Sequence, residues 1–266
     1  MEIFPLNLVL AVAVAAATIF LGFLPTRTIR SAFFAQESLR AAIAWGLIAV
    51  VSPPAIVHYQ IFIAILCLGA WWQFRSDKAL NGKMWLSIAS GLGISLGVML
   101  ILAVTPRAYP PGWTQEAHAF LLASIYLGGA VIGLAYVGYT LTQGMATRSG
   151  VTNEVIQRYV GLLVVLVLAR TVLLVVTAST LVSPFRSGMH SIPEGAENSS
   201  YTSSLLINHF VEFKVAIGLS GIVLPCLAFA ARRAIRSGKQ VQASHALAGI
   251  CLIGLALEIL VRFYLS

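Results

Sequence analysis

Charge is what this sequence has least of. Only 10% of its 266 residues are Asp, Glu, Lys or Arg, whereas 59% are hydrophobic and the mean hydropathy is +0.90. A soluble domain of this length needs far more charge to cover its surface, so the composition excludes one and implies a polytopic membrane protein. Cysteine is equally sparse. Cys67, Cys226 and Cys251 all fall in apolar stretches and form no CxxC or CxxCH pair, which argues against a disulfide framework, a thiolate metal site or covalent haem attachment. There is no HExxH run, no glycine-rich phosphate loop and no paired-aspartate motif, so the usual sequence signs of a metal hydrolase or a phosphate- or prenyl-transferring enzyme are missing. The first residues carry no basic n-region, and their apolar run continues past any Ala-x-Ala site. They read as a retained span, not a cleaved signal.

What is present is a series of apolar runs. A membrane helix takes about 20 such residues, and the chain divides into eight spans within a single helical membrane domain over residues 1–266. The spans are Asn7 to Leu24, a short Ala41 to Val51, Ala55 to about Phe74, Met84 to Val104, Ala117 to Leu141, Tyr159 to about Leu181, His209 to Ala231, and Leu247 to Ser266. Ser52-Pro53-Pro54 marks a tight turn between the second and third, because proline removes backbone donors and restricts its predecessor. Trp71 and Trp72 read as an interfacial belt. Gly91, Gly93 and Gly97 in the fourth span, and Gly128, Gly129 and Gly133 in the fifth, are spaced for close helix approach.

The formal net charge of +8 would suggest nucleic acid in a soluble protein. Here the positive residues occupy short loops, which points to membrane topology and to no nucleic-acid partner. Arg27, Arg30, Arg40, Arg75, Lys78, Lys83, Arg148, Arg158, Arg232, Arg233, Arg236 and Lys239 belong to one set of loops. The opposite set holds Arg107 and Arg186, with Arg262 close by. By the positive-inside rule the basic loops are cytoplasmic and both termini are outside, in a bacterial inner (cytoplasmic) membrane. Two longer outward loops remain, Thr105 to Glu116 and Ser183 to Ile207.

With that orientation, nearly all the ionisable residues inside spans gather in the outer half, and only His245 opens a span from the cytoplasmic side. Glu258 and Arg262 lie one helical turn apart in the last span. His209, Glu212 and Lys214 open the seventh, His58 and Gln60 the third, and His118 the fifth, while Arg170 sits near the middle of the sixth. Ionisable groups at such depth are costly and are usually paired or employed. Several readings stay open. The charges can be packing pairs, Glu258 with Arg262 along its own helix and Glu212 with Lys214, Arg170 or another helix. They can form an outer-face quinone pocket of Glu258, Arg262, Glu212, Lys214, His209 and Arg170, in which a carboxylate takes hydroxyl protons and a cation donates to the carbonyl oxygens. They can serve a proton or ion pathway. A haem b clamped by two of His58, His118 and His209 is a further possibility.

Two stretches resemble known proteins. EILVRFY over 258–264, closing an eighth span, looks like the last helix of the membrane-anchor subunits of dimethyl-sulfoxide-reductase-type molybdoenzymes. FLLASIYLGGA over 120–130 is similar to a glycine-rich helix of the same anchors. The resemblance implies eight spans with both termini outside, quinol contact near the outer face, and partner subunits of an electron-transfer complex. The chain departs from the anchors in having Ala256 and Leu257 before Glu258, where a glycine is usual. LGFLPTRTIRSAFF over 21–34, with GAV at 129–131, GYTL at 138–141 and LAR at 168–170, resembles an uncharacterised bacterial family of eight-span proteins and implies no activity. The reading is therefore a non-catalytic membrane subunit of an electron-transfer complex in contact with the lipid bilayer. A transporter, of which only the short second span gives a broken-helix sign, and a structural or assembly subunit are the alternatives.

Overall fold

In an apolar solvent every backbone N–H and C=O must be satisfied within the chain, and a helix does this locally. The computed structural model is accordingly an all-helical bundle. It describes residues 4–108, 115–146, 151–189, 218 and 220–263, with side chains described for most of them. Among these residues lie α1 (Phe4–Phe23), α2 (Ser31–Val50), α3 (Pro54–Arg75), α4 (Ala79–Ala108), α5 (Gln115–Ala146), α6 (Asn153–Met189), α7 (220–236) and α8 (Gln240–Phe263). No strand occurs among them. Five are long and apolar enough to cross a membrane over Ser31–Val50, Pro54–Arg75, Ala123–Gly144, Asn153–Val176 and Gln240–Ile259, and a shorter apolar helix covers Asn7–Phe23.

The outer surface of the bundle is itself apolar. Tyr59, Ile61, Phe62, Ile65, Leu68 and Trp72 of α3 are exposed, as are Val165, Leu168, Val172 and Val175 of α6. Water does not tolerate such continuous apolar faces, whereas acyl chains do. The protein is a membrane protein, and these faces are its lipid contact.

Small residues set how closely the helices approach. α1 packs against α2, α4, α5 and α8, and Ala11, Ala13, Ala15, Ala16 and Ala17 are all buried in those contacts. Gly129 and Gly133, one turn apart on α5, face α1. A methyl added at Gly133 would lie 2.6 Å from the Ala17 amide nitrogen and 2.8 Å from the Ala13 carbonyl oxygen, and one at Gly129 would strike Val12. On the opposite side of α1, a methyl at Gly97 would come within 3.2 Å of Val12 and one at Gly93 within 2.9 Å of Ala15. Val12 is thus wedged between a glycine of α4 and a glycine of α5. Gly91 differs from the expectation for it, since nothing lies within 4 Å of the place its Cβ would take.

Polar ties fix the ends where the basic loops lie. Lys83 Nζ donates to the Leu24 carbonyl oxygen at 2.6 Å, and Tyr159 Oη to that of Phe20 at 2.8 Å. Both satisfy carbonyls that the end of α1 leaves without intrahelical partners. Pro54 opens α3 at a position where its missing N–H costs nothing.

The second span departs from the expected short run. α2 begins at Ser31 and is a continuous helix of 20 residues. Its early charges mislead, because Glu37 is buried inside the bundle and paired, so they do not mark a loop. The one sign of a broken helix therefore disappears. The fourth, sixth and eighth spans are likewise longer than their apolar cores, reaching Ala79, Asn153 and Gln240 on the basic side. Of the two longer loops expected to face outward, 105–108 and 115–116 are helical, as is 183–189; the remainder lies outside the described residues.

Replacing Gly133 with valine should destabilise the purified protein by about 1–3 kcal/mol or more, since a backbone–backbone contact cannot yield as a side chain can. Gly91→Ala should leave stability unchanged. Thermal unfolding in detergent compares the two; equal stability of both variants would refute the α1–α5 contact.

Candidate functional site

One arginine and one glutamate meet in the apolar layer. Arg170 lies about 25 Å along α6 from its basic end, and Glu258 about 27 Å along α8, at 1.5 Å per residue. Equal depth brings them together although they are far apart in sequence. Arg170 Nε donates to Glu258 Oε1 at 2.9 Å, and Nη2 donates to the same oxygen. Arg170 Nη1 donates to Ser220 Oγ of α7 at 2.6 Å. The side chains of Arg170 and Glu258 are each 3% exposed, and Ser220 is buried too. The cluster ties α6, α7 and α8 together.

Gly128 of α5 makes room for it. A Cβ there would collide with the Glu258 carboxylate, so α5 presents bare backbone to the charge. The adjacent Gly129 and Gly133 serve the α1 contact, and the glycine-rich face of α5 therefore carries two packing tasks. Charge-assisted hydrogen bonds in a medium of low polarity are strong, and the guanidinium fork satisfies several directions at once. Each charge alone would be costly in that layer; paired, they are neutral as a unit.

Arg170 thus holds the carboxylate across helices, whereas the expected Glu258–Arg262 pairing along α8 falls on a side chain outside the described residues. The contact also answers where Arg170 points: into the cluster between helices. Arg262 lies on the last turn of α8, but its side chain is outside the described residues. His209, Glu212 and Lys214 are outside them entirely, so of the residues expected to gather there only Arg170 and Glu258 are seen in contact. His58 is exposed on α3 and its ring lies 4.3 Å from that of Tyr59. The side chain of His118 on α5 is not among those described. No group of three metal-ligating side chains occurs among the described residues.

A second buried carboxylate lies nearer the basic end and escaped the sequence reading. Glu37 of α2 is 2% exposed. Arg40 Nη1 donates to its Oε1 at 2.7 Å, and Tyr136 Oη of α5 to its Oε2 at 3.0 Å. Three residues separate Glu37 from Arg40 on one helix, the spacing that lets side chains meet, and that spacing was the available signal. Ser220 gave none. Nothing distinguishes a serine that receives an arginine from the other serines of an apolar helix. Gln60, noted for its depth, is fully buried, and neither end of its amide has a partner among the described residues; the same holds for Trp45 Nε1 and Asn7 Oδ1.

Comparison with family models, with curated proteins and with solved structures returns no match.

Removing one partner breaks the charge pair in the apolar layer. Glu258→Ala or Arg170→Ala should each cost about 3–5 kcal/mol, and Tyr136→Phe, which deletes one hydrogen bond to a carboxylate, about 1.5–3 kcal/mol. Unfolding of the purified variants gives the order. A Tyr136→Phe variant less stable than Glu258→Ala would contradict the assignment of the stronger tie to α6–α8.

Proposed function

We propose that the chain is a non-catalytic integral membrane subunit, in which the Arg170–Glu258–Ser220 cluster clamps α6, α7 and α8 over the glycine face of α5. The saturation of the cluster carries this reading. Three guanidinium nitrogens are used, two on the carboxylate and one on the hydroxyl, and the fit against Gly128 is tight. Groups held this way set helix geometry. The basic loops support an orientation with that end in the cytoplasm and both termini outside, in a bacterial inner membrane, with eight spans.

A second reading is favoured by the depth of the same pair. A carboxylate and a guanidinium lie side by side in the layer away from the basic end, which is the chemistry a quinone headgroup uses to exchange protons and accept hydrogen bonds. The resemblance of 258–264 to the last helix of molybdoenzyme anchors supports it. The chain would then be the membrane subunit of an electron-transfer complex, with Glu258 and Arg170 in the quinone wall and Arg262, Glu212, Lys214 and His209 completing it.

One variant separates the two. Replacing both charges with methionine, Arg170→Met together with Glu258→Met, removes the chemistry while keeping side chains of similar length in the helix contact. For a clamp, the double variant accumulates in the membrane as the wild type does and leaves quinol-dependent electron flow in host membranes unchanged. If the double variant accumulates normally but that flow is lost, the clamp reading fails and the quinone reading stands.

A further inference from the structure

Away from the Arg170 cluster, at the basic end, α6 and α7 part to leave a cavity of about 180 Å³. The two helices run antiparallel. Arg170 meets Ser220 at one level, and the cavity joins Arg158 to Arg236 at the other. Its walls carry Arg158, Arg232, Arg236 and Glu154, and its floor is Val160 and Ile235, both buried. Glu154 is engaged by Arg158 at 2.5 Å. Arg232 and Arg236 have no acidic partner among the described residues. Two arginines therefore face a concave site with uncompensated positive charge, and Lys239 and Arg233 follow in the same short stretch of chain.

The surface above the cavity is apolar in a specific direction. On α6, Arg158 is followed on the same face by Leu162 and Val165, which are exposed; on α7, Arg236 and Arg232 are followed by Phe229 and Ile222, also exposed. Spacings of three, four or seven residues keep each series on one side of its helix. Both helices thus present cations at the membrane's edge and bare hydrocarbon immediately deeper.

We propose that this cavity binds the phosphate of an anionic glycerophospholipid, with Arg232 and Arg236 on the phosphate oxygens and the acyl chains along Leu162, Val165 and Phe229. Guanidinium groups suit phosphate because their paired N–H donors match its oxygens, and basic pockets between membrane helices hold anionic headgroups. A free phosphate shares the headgroup chemistry but has no use for the apolar track, and that difference separates the two sources.

Purified full-length protein in a neutral detergent is titrated with short-chain phosphatidylglycerol, with short-chain phosphatidylcholine and with inorganic phosphate, and its unfolding temperature is followed. Phosphatidylglycerol raises that temperature saturably, and the other two do not at the same concentrations. Arg232→Gln with Arg236→Gln weakens the half-saturation about thirtyfold, each arginine near an anionic surface being worth roughly fivefold. Arg236→Gln alone, at an exposed position, gives the single fivefold step. Arg233→Gln, on the same turn but outside the cavity, changes nothing. The proposal is overturned if phosphatidylcholine protects equally, if inorganic phosphate saturates at the same concentration as phosphatidylglycerol, if the double variant binds as wild type does, or if Arg233→Gln costs as much as Arg236→Gln.

Discussion

An arginine placed in the apolar layer of a membrane must find a counter-charge, and the arrangement of half this bundle follows from that requirement. Arg170 costs roughly 3 kcal/mol to insert at mid-helix on insertion scales, and Glu258 adds to the cost. Neither cost is recovered unless α6 and α8 hold the two groups at one depth and in hydrogen-bond register. Ser220 then fixes α7 to the same point. The pair is thus a constraint on register: slipping any of the three helices by one turn would separate the charges by about 5 Å.

That constraint is met only because α5 offers no side chain where the carboxylate lies. Gly128 accommodates Glu258, and Gly129 and Gly133 accommodate α1 on the adjoining face. Without a hydrophobic drive between helices in lipid, close backbone contact and buried polar pairs supply the association. Alanine-rich α1 and glycine-rich α5 provide the first, while Arg170–Glu258 and Glu37–Tyr136 provide the second at two levels of α5. The basic end carries a different task. Its arginines line a cavity, and two of them, Arg232 and Arg236, have no acidic partner among the described residues.

Much of this was legible in the sequence. Apolar runs gave the helices because the bilayer leaves the backbone little alternative, and the clustering of Arg and Lys in alternate loops gave one end of the bundle its character. Glu258 and Arg170 stood out as ionisable groups at depth. Their partnership did not, because periodicity reports which residues share a face of one helix, and a contact between α6 and α8 depends on how separate helices rotate and shift. The eye goes first to Arg262, one turn from Glu258, for the same reason. Glu37 failed in the opposite direction: a charge close to Arg40 reads as loop unless the buried phenol of Tyr136, on a distant helix, is known to meet it. Gly128 was legible as a small residue for close approach, but the approaching group is a carboxylate, where a neighbouring backbone was the natural expectation.

The most direct measure of the central claim is a double-mutant cycle on Arg170 and Glu258, with each changed to methionine singly and together and stability read from reversible unfolding in detergent. A shared buried pair predicts strong coupling, on the order of 2 kcal/mol or more, with the double variant far more stable than the sum of the single losses allows. Losses that add to within about 0.5 kcal/mol would show that the two residues act independently, and the account of three helices held by one charge pair would be wrong.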